Sequence, residues 1–271
     1  MRSLLLFLIP AFLITMAVSC KKNNAPNAGG STLDKIIFTS SGSTIADTAW
    51  YKYDSQNRLI SVTQTQGANN GSFSFSYSFS YDAGGKLSGY ALSNTTTGGI
   101  YSYAFQYDNN GRIIKSIGTP QQANLQVNDF AYSYDVQGRL AADTQLFQQN
   151  HAIIVYDTYV YDANNDITAE HQFGMVNGSL QMSSEDTSTF DNKVNPFAAN
   201  RIPLFMALND PSMLSANNIV HIQSKVLNNS SAGITNISSY SYYSNGLVWR
   251  QILSNPANTN TGTQEYHFKA P

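Results

Sequence analysis

A repeat of nearly constant period runs through most of this chain. An aromatic residue followed by aspartate recurs at positions 53, 81, 107, 134, 161 and 190. The pairs are Tyr53-Asp54, Tyr81-Asp82, Tyr107-Asp108, Tyr134-Asp135 and Tyr161-Asp162, with Phe190-Asp191 as a variant. A fixed period in the range of roughly 20–50 residues is typical of repeat architectures, in which one small structural unit is copied along the chain.

The segment before each pair alternates aromatic and small polar residues. From Ser72 to Tyr81, phenylalanine or tyrosine occupies every second position and serine fills the positions between. Successive side chains of a β-strand point to opposite faces, so this pattern predicts strands with one aromatic face and one polar face. We interpret the aromatic stripe as the core face of a sheet, and stacking on sugar rings is the alternative.

Each pair also begins a short turn, such as Asp108 to Gly111 or Asp135 to Gly138. Aspartate accepts hydrogen bonds from the amides that follow it, and glycine adopts the positive φ that a hairpin bulge needs. The residues assigned to the repeat, its turns and its structural positions are Tyr53, Asp54, Tyr81, Asp82, Tyr107, Asp108, Gly111, Tyr134, Asp135, Gly138, Tyr161, Asp162, Asp191, Asn192, Lys193, Asn195 and Pro196.

Hairpin after hairpin predicts an all-β fold, an antiparallel meander of about a dozen or more strands. Sheets of that size tend to curl or close, so we expect a large curled sheet or a partly closed barrel. Residues 195–214 lack β alternation and are expected to form one short helical insert, interrupted at Pro203, that packs on the concave aromatic side. Leu214 to Asn218 is interpreted as a degenerate copy of the repeat, with strands resuming from Ile219 to Lys269.

The N-terminal segment, positions 1–32, has the pattern of an export signal and a tether. Arg2 precedes the apolar run Leu4 to Val18, which is short for a membrane span and has the length of a signal-peptide core. The run ends at Ala17-Val18-Ser19-Cys20, which resembles a bacterial lipobox and implies cleavage before Cys20 and acylation of that residue. An ordinary secretory signal is the alternative. Residues 1–19 are thus assigned as signal peptide, 20–32 as a lipid-anchored flexible tether and 33–271 as a single β-repeat domain.

Composition limits the partners of the chain. The net charge is −2 and only 12% of the residues are charged, about half the usual share. No basic field exists to attract nucleic acid, and Cys20 is the only cysteine, so no disulfide can form within the chain. The predicted partner is a membrane, reached through the N-terminal lipid. We expect an outer-membrane lipoprotein, in either the periplasmic or the surface-exposed leaflet.

The unit Tyr-Asp-x-x-Gly-Arg-Leu resembles the YD repeats of Rhs-type and wall-associated bacterial proteins. Together with the lipobox, the segment Phe190 to Phe197 resembles more closely a family of Bacteroidota lipoproteins with a porin-like fold. The resemblance covers roughly Leu33 to Lys269, although Leu214-Ser215 and Tyr243-Ser244 lack the aspartate. The resemblance implies a curved β-meander, and it implies no enzymatic activity because the family has no known function.

Residues of catalytic or metal-binding type form no complete motif. Asp162, Asn164 and Asp166 match the first three ligand positions of a calcium loop, but Ile167 and Phe173 replace its glycine and its glutamate. We therefore interpret the turn aspartates as backbone caps. The four histidines have no metal-ligand spacing, and neither a Gly-x-Ser-x-Gly elbow nor a phosphate-binding loop occurs. No metal and no cofactor are predicted.

The sequence favours a non-catalytic, membrane-anchored binding or structural module of the cell envelope, with a glycan or an envelope protein as ligand. Trp50 and Trp249 are candidates for stacking on such a ligand. One alternative is a transmembrane β-barrel, which the scarcity of aliphatic residues and the absence of two aromatic girdles disfavour. A second is a glycan-active hydrolase, which requires a pocket with convergent carboxylates and a perturbed pKa.

Overall fold

The structure is a computed structural model. It describes residues 31–41, 46–66, 73–94, 98–120, 127–227, 233–257 and 261–269. The predicted signal peptide at 1–19, the lipidation site Cys20 and nearly all of the predicted tether lie outside the described residues.

Sixteen antiparallel strands follow one another along the described chain. They are β1 (Thr32–Ser40), β2 (Asp47–Tyr53), β3 (Leu59–Gln66), β4 (Phe73–Tyr81), β5 (Leu87–Asn94), β6 (Ile100–Tyr107), β7 (Ile113–Pro120), β8 (Asn128–Tyr134), β9 (Leu140–Phe147), β10 (Ile153–Tyr161), β11 (Ile167–Val176), β12 (Ser179–Val194), β13 (Asn217–Val226), β14 (Ile234–Tyr242), β15 (Val248–Ser254) and β16 (Thr261–Lys269). Each strand pairs with its neighbours in sequence, and β1 pairs with β16. The predicted meander is confirmed, and it closes into a complete barrel.

The aromatic faces of the strands point into this barrel. In β4, Tyr77 and Phe79 are buried, whereas Ser78 and Ser80 are exposed. Tyr77 pairs with Val62 of β3, and Phe79 pairs with Tyr90 of β5, whose side chain is also buried. Because the strand period of two is kept across the register, one continuous core lines the inside of the barrel. The interpretation of the aromatic stripe as a core face is confirmed.

The two ends of the barrel differ. The turns that join β2 to β3, β4 to β5, β6 to β7, β8 to β9 and β10 to β11 all lie at one end, which we call the turn end. Thr32, where β1 begins, pairs with Lys269, where β16 ends. Since β1 is antiparallel to β2, both of these residues also lie at the turn end. We call the opposite end the loop end.

A helical segment replaces the repeat turn between β12 and β13. It consists of a 3-10 turn (Ala198–Asn200), helix α1 (Arg201–Leu208) and a second 3-10 turn (Pro211–Leu214). The predicted short helical insert is confirmed, but the interruption expected at Pro203 is wrong. Pro203 lies in the first turn of α1, where a backbone N–H has no intrahelical acceptor, so proline is tolerated. Within the described residues, no helix has the length and hydropathy to cross a membrane.

This segment, residues 195–216, crosses the barrel interior, and we call it the plug. Leu204 and Phe205 are each 1% exposed. The ring of Phe205 meets Tyr132 and Tyr159 edge-on on one side of the barrel. On the other side the ring of Phe197 contacts Tyr51 and Tyr266. The expected packing of the insert on the concave aromatic face is confirmed.

Two segments, one on each side of the plug, differ from the repeat pattern expected from the sequence. Leu214 to Asn218, interpreted from sequence as a degenerate repeat unit, is the exit of the plug and the beginning of β13. This segment therefore does not form a hairpin turn of the repeat. Asp191, in turn, lies inside the long strand β12.

Candidate functional site

The Tyr-Asp repeat builds the wall of the barrel at its turn end. Oδ1 of Asp135 accepts the amide N–H groups of Gln137 and Arg139 at 2.9 and 2.8 Å. Its Oδ2 accepts Nε of Arg139 at 2.7 Å. Gly138 has a φ of 80°, which the turn requires. The same bonds are made by Asp54 with Arg58 and by Asp108 with Arg112, where Gly111 has a φ of 79°.

The basic residue of each turn also contacts the next repeat. Cations lie over the tyrosine rings of the following units: Arg58 over Tyr81 at 4.4 Å, Lys86 over Tyr107 at 3.4 Å, Arg112 over Tyr134 at 4.9 Å and Arg139 over Tyr161 at 4.5 Å. The tyrosine hydroxyl donates back to a carbonyl oxygen of the preceding unit, as from Tyr81 to Leu59 at 2.9 Å and from Tyr134 to Ile113 at 2.7 Å. Aspartate, cation and tyrosine thus form a ladder that joins successive hairpins.

The ladder ends at the β10–β11 turn, where Asp166 occupies the position that is basic in the four earlier turns. Asp162 still accepts the amides of Asn164 and Asp166. The Asp166 side chain is buried and accepts both the backbone N–H and the side-chain amide of Asn217 at 2.7 Å. The break in the pattern therefore fixes the exit of the plug.

The segment around Asp191 fixes the plug's entrance. Asn195 donates to the carbonyl oxygens of Ser212 and Ser215 and accepts the amide of Phe197. Asp191 accepts bonds from Asn218 and from the hydroxyl of Tyr242. The remaining predicted residues of this segment are Asn192 and Lys193, which lie on β12, and Pro196, which lines the cavity described next.

A cavity of about 390 Å³ lies between the plug and the wall formed by β1–β3 and β13–β16. We call it the lumen cavity. Its lining combines aliphatic side chains, aromatic rings such as Phe38 and Phe197, and the amides of Gln64, Gln251 and Gln264.

Apart from Asp210, the polar side chains that line the lumen cavity are neutral, and those of β14 to β16 are held by one another. Nε2 of Gln251 donates to Oγ of Ser238 and to the hydroxyl of Tyr240, both at 3.0 Å. The hydroxyl of Tyr266 lies 2.8 Å from Oε1 of Gln251 and 2.9 Å from Oε1 of Gln264. Burial raises the pKa of Tyr240 and of Tyr266, so both remain uncharged hydrogen-bonding groups at physiological pH.

A cluster of carboxyl groups lies on the inner wall formed by β9 to β12. Asp143 pairs with Asp157, and Glu170 pairs with Asp186, in the register of these strands. Asp210 of the plug faces Glu170 and Asp186 across a small cavity of about 100 Å³. These five residues are called the carboxylate cluster.

Burial perturbs the acidity of the carboxylate cluster. It raises the pKa of Asp143 to about 7, that of Asp157 to about 6 and that of Glu170 to about 8. Neighbouring carboxylates add to the pKa shifts of Asp143 and Glu170. Tyr159 donates its hydroxyl to Asp143. No ion pair among the described residues involves a member of the cluster.

A third cavity, of about 330 Å³, lies beside the plug at the turn end and is lined by Arg139 and Arg201. Both guanidinium groups already have protein partners. Arg139 belongs to the ladder, and Arg201 donates to the carbonyl oxygens of Ala198 and Leu214. We assign these arginines to structural roles.

The two tryptophans predicted to stack on a ligand lie on the outer wall. Trp50 of β2 is 43% exposed and Trp249 of β15 is 36% exposed. The strands β1 and β16 separate them, so the two rings do not form one site. Lys35 lies over the ring of Trp50, and Arg250 lies near that of Trp249.

Sequence reasoning missed the carboxylate cluster. Glu170 points inward, whereas the adjacent His171 contacts Glu185 at 3.3 Å on the outer wall. The signal that could have revealed the cluster is the period-two alternation of side chains along a strand. Asp157 precedes Tyr159 by two residues and therefore lies on the aromatic, inward face of its strand.

The architecture is similar to that of a porin-like protein from Bacteroides uniformis, with a TM-score of 0.57 and 15% sequence identity. The match covers 88% of this chain and 98% of that one. This chain has a porin-like fold. At that identity the similarity concerns the fold alone.

Two further solved structures have lower similarity. A porin-like protein from Bacteroides vulgatus has a TM-score of 0.44 and 9% identity, over 89% of this chain and all of that one. A crystal structure of TcdB2-TccC3-Cdc42 has a TM-score of 0.34 and 14% identity, over 84% of this chain and 14% of that one. Neither a protein-family model nor a curated protein matches the chain.

Proposed function

We propose that this protein is a non-catalytic lipoprotein of the outer membrane whose barrel binds a neutral polar ligand, a glycan segment, in its lumen. The observation that carries the proposal is the lumen cavity, lined by aromatic rings and amides in the interior of the porin-like barrel. Its volume of about 390 Å³ lies within the range of small-ligand sites, roughly 300–1,000 Å³. Aromatic faces with side-chain amides offer the stacking and hydrogen bonds that a sugar ring needs.

The distribution of side chains supports a barrel that stands in water. Membrane-spanning barrels direct an apolar band outward and polar groups inward. Here the order is reversed, with Tyr77 and Phe79 inside and Ser78 and Ser80 outside. Outward residues of other strands are mostly polar, among them Thr187, Thr189, Gln223, Ser239 and Ser241, and exposed apolar side chains such as Ile60, Val160 and Ile237 lie among them. A lipid on Cys20 would then supply the membrane attachment.

The position of β1 supports an orientation. Thr32 begins β1 at the turn end, so a tether ending there would hold the turn end toward the membrane. The loop end of the barrel would then face away from the membrane.

A glycan screen with matched variants tests the proposal. The full-length protein is applied to an array of bacterial and host glycans, and each hit is measured by calorimetry. Gln251→Ala removes an amide from the lumen cavity and is expected to weaken binding at least tenfold. Gln223→Ala, an exposed amide on the outer wall, is the control and should bind like the wild type.

Two results would contradict this assignment. If the folded protein binds no glycan, the remaining functions are binding of a protein partner and a structural role. A hit that Trp50→Ala or Trp249→Ala weakens, while Gln251→Ala leaves it intact, would place the site on the outer wall.

The carboxylate cluster favours a second candidate, a glycan-active hydrolase. With a pKa of about 8, Glu170 is protonated at neutral pH and could act as a general acid beside an ionised neighbour such as Asp157. Release of reducing ends from a bound glycan, abolished by Glu170→Gln, would establish this activity. Binding without turnover supports the non-catalytic proposal.

A further inference from the structure

Among the described residues, no basic side chain forms an ion pair with the carboxylate cluster. The titratable groups that face Glu170 are Asp143 from β9, Asp157 and Tyr159 from β10, Asp186 from β12 and Asp210 from the plug. All of them are acidic or phenolic. Burying several carboxylates together without a cation is unfavourable, so they must take up protons or receive a positively charged partner.

Asp157 independently indicates a missing partner. Its side chain is 4% exposed, and its Oδ1 has no hydrogen-bond partner among the described residues. The same carboxyl pairs in register with Asp143 and influences the charge of Glu170. Buried carboxylate oxygens in proteins almost always accept a hydrogen bond, so this atom is expected to have a donor that the described residues do not supply.

We propose that the carboxylate cluster is a binding site for an organic cation, the ammonium group of a small alkylamine or of a larger amine-bearing ligand. The small cavity between Glu170, Asp186 and Asp210 would receive the ammonium, whose three N–H donors match carboxylate and serine oxygens. Within the part of the chain that the structure describes, no three acidic, histidine or cysteine side chains are placed to hold a metal ion.

The cation site adjoins the lumen cavity. Asp210, Ser212, Ile219 and Ile222 line both cavities. A ligand with one ammonium and a neutral polar body can therefore occupy both, but the cation site does not depend on what the lumen cavity binds.

Binding is linked to pH through the same carboxyl groups. A cation is held by the ionised cluster, so protons leave Glu170, Asp143 and Asp157 as it binds. Affinity is therefore expected to rise between pH 5.5 and pH 8, where an alkylammonium is still fully charged.

Calorimetry with a defined probe tests the inference. The full-length protein in a non-ionic detergent is titrated with 1,5-diaminopentane and, separately, with 1,5-pentanediol, its uncharged counterpart. The diamine should bind and the diol should not. Affinity for the diamine should be at least tenfold higher at pH 8 than at pH 5.5, with proton release detected by varying the buffer.

Neighbouring residues on one strand supply matched variants. Asp186→Asn, facing inward, and Glu170→Gln should each weaken diamine binding at least tenfold. Glu185→Gln, which faces outward on the same strand as Asp186, should leave it within twofold. Because the inward substitutions remove buried charge, both variants are expected to fold, which circular dichroism checks.

Several outcomes would overturn the inference. These are no diamine binding by the folded protein, equal binding of the diol, equal weakening by Glu185→Gln, or binding of Ca²⁺ in place of the diamine. A glycan bound in the lumen cavity together with a negative diamine titration would reject the cation site and leave the proposed function standing.

Discussion

Single aspartates in this barrel serve two opposite electrostatic roles. In the turns, hydrogen bonds from the backbone and from an arginine lower the pKa of Asp54 and of Asp108. On the inner wall, burial raises the pKa of Asp143 and of Asp157. The turn aspartates stabilise the folded state when they are ionised. The inner-wall aspartates stabilise it only while they are protonated.

Stability is therefore expected to fall as pH rises from about 5 to 8.5. Glu170, Asp143 and Asp157 have pKa values in the folded state above those of the unfolded chain, so over this range the folded state holds more protons. Each such proton contributes a slope of at most about 1.4 kcal/mol per pH unit. Glu170→Gln should flatten the dependence in urea unfolding measured across pH. The control Glu185→Gln should keep the wild-type slope. If the free energy of unfolding of Glu170→Gln changes with pH as steeply as that of the wild type, this account is contradicted.

The ladder predicts unequal costs for removing two of its cations. Arg139 pairs with Asp135 and also stacks on Tyr161, whereas Lys86 stacks on Tyr107 without an ion pair to Asp82 among the described residues. Because Arg139 is partly exposed, Arg139→Met is expected to lower the free energy of unfolding by only about 1 kcal/mol. Lys86→Met should cost less. Equal losses in urea denaturation would show that the ion pair adds nothing.

At the scale of elements, the plug depends on its packing. Helix α1 has eight residues, too few to be stable alone in water. Its buried residues Leu204, Phe205 and Met206 fix it inside the barrel, and Asn195 and Asp166 hold the two ends of the plug.

Phe205 is expected to dominate that packing. Phe205→Ala should lower the free energy of unfolding by about 3–5 kcal/mol, since the ring is fully buried between Tyr132 and Tyr159. Ile202→Ala on the same helix, 36% exposed, is the control and should cost far less. Similar losses for both in urea unfolding would mean that the helix is not docked as described.

The plug's entrance can be loosened separately. Asn195→Ala removes three hydrogen bonds and should cost about 1–3 kcal/mol. Amide hydrogen exchange in residues 196–216 should rise while exchange in the strands is unchanged. Asn192→Ala, an exposed neighbour on β12, should show neither effect. Uniform acceleration over the whole barrel would indicate global destabilisation instead.

Elements with a local pattern could be predicted from the sequence, and features assembled over long distances could not. The alternation in β4 and the lack of it in residues 195–214 are local, so the meander and the insert were predicted. The pairing of β1 with β16 joins the first strand of the described chain to the last, and no local pattern specifies it. The carboxylate cluster likewise arises from the register of four strands plus the plug.

For the whole molecule, the predominance of polar side chains on the outer wall predicts that the barrel is soluble without the N-terminal segment. A form lacking residues 1–20 is expected to remain in aqueous buffer without detergent, as a single species in size-exclusion chromatography, while the full-length chain partitions into membranes. If the shortened form also requires detergent, the barrel spans the bilayer.

The seam between β1 and β16 also has a consequence for biosynthesis. The first and the last strand of the barrel are hydrogen-bonded partners, so the ring cannot close until the final strand has been made. Until then the aromatic faces are exposed in a growing, open sheet with two free edges, which is the arrangement most prone to pairing with other chains. Because this last contact has a high sequence separation, closure is expected to be slower than the pairing of neighbouring strands. A cell that produces this protein must therefore keep the chain from aggregating until β1 and β16 pair.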